Sequence, residues 1–293
     1  MPRKREPKDT DITDFIPEQH NLYAKRMVFL GPSEAGKSWV IRDIMQKLPR
    51  IPVGRILAGS EDYDPFYRNF CPDIFISSEF DLGVIKKFFD RAKELTKLKK
   101  TNPKYKHVNN RSLLLLDDCF HKKAQWMKED LIGELVMNGR HAEITLMFAM
   151  QSPKGFQGEL KGSIDYAFIC QFTSATDRKT IYDNYSAGFK TYSQFSKAMD
   201  KVCIDNHVMV IKRNNKKSSK IIDNVFIYKA KEHPGFKMFS PLAWRIHNKK
   251  YDKNFETKIK LRKEKEEFEQ KNKERLKHKR REEITHDIEI IRQ

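Results

Sequence analysis

Cysteine is scarce in this chain and never closely paired. Cys71, Cys119, Cys170 and Cys203 are its four, and no C-x-x-C spacing links any two of them. The scatter argues against structural zinc and predicts reduced thiols in a cytosol-like compartment. Cys119 and His121 stand close together, but two donors do not make a metal site. Long apolar runs are missing too. No N-terminal stretch has the apolar core of a signal peptide, and none elsewhere approaches the ~20 residues of a membrane span. The expectation is a soluble, intracellular chain. Internal repeats are absent as well.

Positive charge is what the chain carries in excess. Lys and Arg number 58 against 40 Asp and Glu, a formal net charge of +18. Solubility does not require so much, and its grouping points to a polyanionic partner, nucleic acid ahead of an acidic surface. The 293 residues can bury a full core as one large α/β domain with appendages, or as two domains.

Residues 1–20 are charged and contain proline, which predicts a mobile basic arm. The apolar run Met27–Leu30 predicts a buried strand, and apolar spacing from Trp39 to Leu48 a helix. Arg55–Gly59 and Ile74–Ile76 read as short buried strands around a turn-rich segment. A helix is predicted over 81–98, its start capped by Asp81 or Ser78. The basic stretch 97–107, broken by Pro103, predicts a surface loop. Further strands are expected at 112–116, 144–150 and 166–170, with a helix over 124–138. Near-continuous apolar strands separated by helices predict an α/β fold, a mostly parallel sheet covered by helices on both faces. A helical stretch over 176–201 follows, then a hairpin of His207–Lys212 and Asn224–Lys229 around the basic loop Arg213–Lys220. Residues 248–293 carry dense mixed charge without a persistent apolar seam, a helical or disordered tail beyond a domain of residues 21–247.

The most specific string is Gly31-Pro32-Ser33-Glu34-Ala35-Gly36-Lys37-Ser38, which fits G-x-x-x-x-G-K-[ST]. A predicted strand enters it and a predicted helix leaves it, the context in which backbone N–H groups and a helix dipole hold phosphates. Lys37 would reach the outer phosphates, and the Ser38 hydroxyl would ligate Mg²⁺. Leu113–Leu116 ending in Asp117-Asp118 has the shape of a Walker B element. Asp117 would then hold the Mg²⁺ sphere beside Ser38, and Asp118 would polarise an attacking water. Gln151 ends the next predicted strand and could contact the γ-phosphate or its water. Arg140, at the opposite end of that strand, is a candidate for an arginine supplied in trans, with Arg178 and Lys161 as weaker ones. No Asn-Lys-x-Asp guanine motif follows the Walker B strand, which argues against a GTPase and leaves ATP with Mg²⁺.

Four elements therefore occur in order: the Gly31–Ser38 loop, Leu-Leu-Leu-Leu-Asp117-Asp118, Asn138-Gly-Arg-His141, and a strand ending in Gln151. Together they resemble the genome-packaging ATPases of the large nucleocytoplasmic DNA viruses, the poxvirus type included, within the FtsK–HerA branch of P-loop NTPases. The resemblance spans residues 21–190. It implies a RecA-like (ASCE) core, ATP hydrolysis, and a homo-oligomeric ring of five or six subunits that drives double-stranded DNA into a preformed capsid. A capsid or portal-like vertex would be a further partner, and the host cytoplasm (the viral factory) and the virion its location. Lys37 and Ser38 correspond to the Walker A pair, Asp117 and Asp118 to the Walker B pair, Gln151 to the sensor, and the Arg140 segment to inter-subunit contact. One departure is Lys161-Gly-Ser-Ile-Asp165, where the family often shows Arg-x-Asn-x-Asp; lysine lacks arginine's planar fork. Lys97, Lys99, Lys100, Lys104 and Lys106, and Arg213, Lys216, Lys217 and Lys220, are the candidates for gripping a DNA backbone. A P-loop helicase or other DNA-dependent ATPase, and a nucleotide-dependent switch or scaffold, are the alternatives.

Overall fold

The apolar runs converge on one sheet. The computed structural model of the chain describes residues 8–119, 130–154, 159–213, 215, 218–252 and 254–290. Its strands are β1 (Thr13–Asp14), β2 (Arg26–Leu30), β3 (Val53–Ala58), β4 (Ile76–Ser77), β5 (Ser112–Asp117), β6 (Ile144–Met150), β7 (Tyr166–Ile169), β8 (His207–Lys212) and β9 (Val225–Lys229). They are arranged in the order β1-β9-β8-β7-β2-β6-β5-β3-β4. Every pairing is parallel except β7 with β8 and β8 with β9. The mostly parallel α/β sheet expected from the sequence is present, extended on one side by the antiparallel hairpin.

Side chains alternate between the two faces of each strand, and both faces are covered. Met27, Phe29, Leu113, Leu115, Met147 and Ala149 share one core with Val40, Ile41 and Ile44 of α1 (Lys37–Gln46). Val28, Leu30, Leu114, Leu116, Leu146 and Phe148 face the other core. That core is closed by Ile85 and Phe89 of α2 (Leu82–Thr101) and Leu135 of α3 (Asp130–Asn138). A single turn, α4 (Glu159–Gly162), precedes β7, and α5 (Ala175–Tyr185) and α6 (Tyr192–Val202) add Ile181 and Phe195 to the same core. Helix α7 (Pro241–Lys250) follows the hairpin.

The chain divides into two compact units, residues 1–245 and 246–293. Within the second, α8 (Phe255–Ile290) is one long helix, with Leu261, Phe268 and Leu276 exposed along it. Asp81 is the cap of α2, accepting from the N–H of Gly83 at 2.7 Å and of Val84 at 3.3 Å.

Several boundaries differ from expectation. The mobile arm does not extend to residue 20: β1 pairs with β9, and Phe15 is buried among His20, Tyr166, Phe168, Phe226 and Tyr228. Residues Asp73–Phe75 form a 3₁₀ turn before β4. The expected surface loop at 97–107 starts late, because α2 runs to Thr101 and stops where Pro103 bars its continuation. The helical stretch 176–201 is two helices, broken where Gly188 adopts φ 86° and Thr191 caps α6. Of the helix expected over 124–138, residues 124–129 lie outside the described residues.

One ion pair anchors the entry to β2 and β7. Both Arg26 and Asp165 are buried. Asp165 Oδ2 accepts from the Arg26 backbone N–H at 3.0 Å and from its Nε at 2.8 Å, and Oδ1 accepts from a guanidinium nitrogen at 3.2 Å. Burial alone would raise the Asp165 carboxyl, but the Arg26 hydrogen bonds and charge outweigh it and hold the group below its ordinary value. Such a group stabilises the fold above its unfolded pKa and loses that contribution as pH falls through its folded pKa. Asp165→Asn should therefore cost about 3 kcal/mol at neutral pH, measured by urea denaturation. The gap from wild type should narrow progressively below about pH 4, as first the unfolded-state carboxyl and then, at lower pH, the folded Asp165 takes up a proton.

Candidate functional site

Parallel pairing brings four strand ends side by side. Leu30 lies opposite both Met150 and Ile169, and Asp117 opposite Ala149. The residues that follow (Gly31, Asp118, Gln151 and Cys170) therefore open onto one edge of the sheet, where α/β folds collect their ligands.

The phosphate-type loop begins clamped between neighbours. Gly31 N–H donates to the Met150 carbonyl at 3.1 Å, and Cys170 N–H donates to that of Leu30 at 2.8 Å. A Cβ on Gly31 would stand 2.8 Å from Cys170 Cβ and 2.9 Å from its Sγ, so only glycine fits. Glu34 at φ 61° and Gly36 at φ 82° turn the backbone over, and α1 starts at Lys37 with no side-chain cap. That helix end presents its amides and dipole to an anion. Lys37 folds back across the loop, its Nζ donating to the carbonyls of Gly31 at 2.9 Å and Pro32 at 2.6 Å. Burial lowers its ammonium pKa, while nearby Cys170, Asp117 and Asp118 pull the other way.

The two acids at the end of β5 have different surroundings. Asp117 is buried, and its Oδ2 accepts from the Tyr67 hydroxyl at 2.5 Å. Burial pushes its carboxyl up; the Tyr67 hydrogen bond opposes that, and the charge of Asp118 adds to it. Asp118 is exposed at φ 50°, and its Oδ1 accepts from Gln151 Nε2 at 2.8 Å. The structure thus joins Asp118 and Gln151 directly. Ser38 and Asp117 both act on Tyr67: its hydroxyl donates to Asp117 Oδ2, and burial, which pushes its phenol well up, is opposed by the Ser38 side chain. These are the hard oxygen donors that Mg²⁺ prefers, and a Mg²⁺ site commonly completes itself with water and ligand phosphate. No metal-holding group of three or more His, Cys, Asp or Glu occurs among the described residues.

Three residues of the site escaped the sequence reading. Cys170 closes the space beside Gly31, Tyr67 donates to Asp117, and buried Glu61 binds the turn that carries Tyr67. No motif marks them. The available signal was topological: Glu61 follows a buried strand of a parallel sheet, where the site edge lies.

Other candidates fall elsewhere. Arg140 sits in the 3₁₀ turn Gly139–Ala142 before β6, roughly 20 Å of extended strand from Gln151. Its Nε donates to His141 Nε2 at 3.4 Å. Arg178 is structural, held by the Phe172 carbonyl and, at 2.6 Å, by Asp200; Lys161 Nζ donates to Asn184 at 2.8 Å. Among the basic candidates, Lys97 and Lys100 are exposed and line a groove of about 340 Å³ with Phe89, Lys93 and His141; Lys104 and Lys106 are exposed beyond it. Lys99 instead donates to Asn110 at 3.1 Å. Arg213 turns inward, bonding the Lys161 carbonyl and lying 5.1 Å over the Tyr185 ring, which removes it from a DNA-facing surface. Lys220 pairs with Asp9 at 3.0 Å, and Lys216 and Lys217 lie outside the described residues. No helix among the described residues is long and apolar enough to cross a membrane.

Gly31→Ala is expected to destabilise the fold by about 1–3 kcal/mol through overpacking against Cys170, read by chemical denaturation. Cys170→Gly in the same chain should recover most of that loss.

Comparison with known proteins places this geometry. No family model matches the chain. Among solved structures, the genome packaging NTPase B204 of Sulfolobus turreted icosahedral virus 2, in complex with AMP, superposes with a TM-score of 0.52 at 16% identity. That match covers 73% of this chain and 100% of that one. The pCW3 conjugation coupling protein TcpA superposes with a TM-score of 0.51 at 14% identity, over 78% of this chain and 64% of that one. The fold is the mostly parallel α/β fold of these proteins. In sequence, the chain is 28% identical to "Uncharacterized protein 075L" of Invertebrate iridescent virus 6 over 78% of its own length and 88% of the relative's. It is 30% identical over 232 residues to "Uncharacterized protein L437" of Acanthamoeba polyphaga mimivirus, 78% of this chain and 81% of the relative. The protein belongs to the family of this mimivirus protein.

Proposed function

We propose that the chain is an ATP-hydrolysing motor of the FtsK–HerA branch that moves double-stranded DNA and packages a viral genome into a preformed capsid. The observation that carries this reading is the meeting at one sheet edge of the Gly31–Ser38 loop, the Tyr67–Asp117 pair and the Asp118–Gln151 pair. The relatives in mimivirus and the iridescent viruses support the viral setting.

In this reading the loop amides and Lys37 hold the nucleotide's phosphates, Lys37 exchanging its loop carbonyls for phosphate oxygens. Ser38 and Asp117 would hold Mg²⁺, which when bound neutralises charge on the phosphates. Asp118 polarises the attacking water, and Gln151 fixes the orientation of Asp118 through its amide N–H. Because the pair is exposed at the mouth of the site, contact with a γ-phosphate would reorganise both side chains, and β6 links Gln151 to the Arg140 turn at the opposite edge. Arg140 serves a neighbouring subunit in a ring. Exposed Lys97, Lys100, Lys104 and Lys106 grip the phosphate backbone without reading sequence, which makes binding strongly salt-dependent.

DNA-stimulated ATP hydrolysis tests the proposal: turnover unmoved by duplex and by single-stranded DNA would exclude a motor. Displacement of a triplex strand from duplex DNA then separates a translocase from a helicase. Lys37→Ala should abolish hydrolysis and keep the circular dichroism spectrum of the wild type. Asp118→Asn should bind ATP normally while kcat falls at least about 100-fold. Mixing Arg140→Ala with Lys37→Ala subunits should restore part of the activity that each lacks alone; no restoration would refute action in trans.

A further inference from the structure

Tyr67 belongs to no recognised motif, yet the structure builds a support around it. It is 1% exposed, in a short 3₁₀ turn (Tyr67–Asn69). Glu61, fully buried after β3, accepts from the backbone N–H of Phe66 at 2.8 Å and of Tyr67 at 2.7 Å on one oxygen, and of Arg68 at 3.4 Å on the other. Arg68 Nε lies 3.7 Å from the second oxygen. Glu61 therefore spends its acceptor capacity on a turn of backbone rather than on a ligand. The Tyr67 ring is wedged between Phe66 and Phe70, at centroid distances of 5.3 and 5.9 Å.

From that fixed base the Tyr67 hydroxyl reaches Asp117 Oδ2 at 2.5 Å. A phenol has one proton to donate and lone pairs to accept with. Its proton goes to one oxygen of Asp117. Asp117 thereby keeps its other oxygen for an ion.

We infer that Tyr67 is a positioning residue for the divalent cation, holding the Asp117 carboxylate in ligand orientation, and that Glu61 holds Tyr67. The inference rests on the nucleotide-site reading above. It adds that metal affinity in this protein depends on a residue outside both Walker elements.

Tyr67→Phe removes the hydroxyl and keeps the ring. The affinity of a fluorescent ATP analogue would be measured with Mg²⁺ and with EDTA, and Mn²⁺ binding to the nucleotide complex followed by paramagnetic resonance. The metal-free affinity should stay within about twofold of wild type. The enhancement by Mg²⁺ should fall about tenfold, and Mn²⁺ should bind about tenfold more weakly, as expected for losing a hydrogen bond to a charged group. Glu61→Gln keeps one oxygen for the Phe66 and Tyr67 N–H groups but turns an amide donor toward the Arg68 N–H and guanidinium, and should give a smaller loss in the same direction. An unchanged or larger Mg²⁺ enhancement in Tyr67→Phe overturns the inference. So does an equal loss with and without metal, which a merely structural residue would give. A wild-type chain whose nucleotide affinity ignores Mg²⁺ would instead overturn the nucleotide-site reading, and the inference with it.

Discussion

Parallel hydrogen bonding between β2, β6 and β5 is the constraint on which the site depends. Parallel strands run the same way, so each must return by a crossover and each leaves the sheet at the same edge. That edge receives the phosphate-type loop, the Asp117–Asp118 pair and Gln151 although they are far apart in the chain. Register matters as much as direction. Asp117 is buried opposite Ala149, while Asp118, one residue on, is exposed and meets Gln151. A slip of one residue would exchange those environments, because side chains alternate with period two.

Buried charge then holds the frame to that register. Arg26 and Asp165 tie β2 to the start of β7 at one edge, and Glu61 and Asp117 organise the other. On the outer side of α1, buried Asp43 accepts from the Tyr228 hydroxyl, the Lys231 N–H and His233 Nε2, each at 2.7 Å. That links the helix following the phosphate-type loop to the end of β9, and Arg42 beside it lies 5.2 Å over Trp39 and 5.5 Å over Phe70. A buried carboxylate is costly unless every oxygen has partners, so these groups specify where the elements must sit more than they add stability.

Much of this was legible beforehand, for physical reasons that differ by element. Strands β2, β5 and β6 are near-continuous apolar runs because both their faces are buried, and such runs stand out. The edge pieces did not. Thr13–Asp14 has no apolar pattern, and its pairing depends on β9 arriving from more than two hundred residues away. The break between α5 and α6 rested on the left-handed Gly188, which a periodicity reading passes over. Among the basic residues, charge alone could not distinguish Lys97 and Lys100, which face solvent, from Lys99 and Arg213, which serve internal carbonyls, amides and rings.

Sequence by itself determined the chemistry of the Gly31–Ser38 loop and the identity of the acids and amide that end two buried strands. These are local facts: a spacing of glycines, a lysine and serine at a helix start, a polar residue where an apolar run stops. Only the tertiary structure decided that Asp118 and Gln151 touch and that Tyr67, held by Glu61, reaches Asp117. Those relations depend on strand order and register, which arise from hydrogen bonds between segments distant in sequence and leave no local pattern to read.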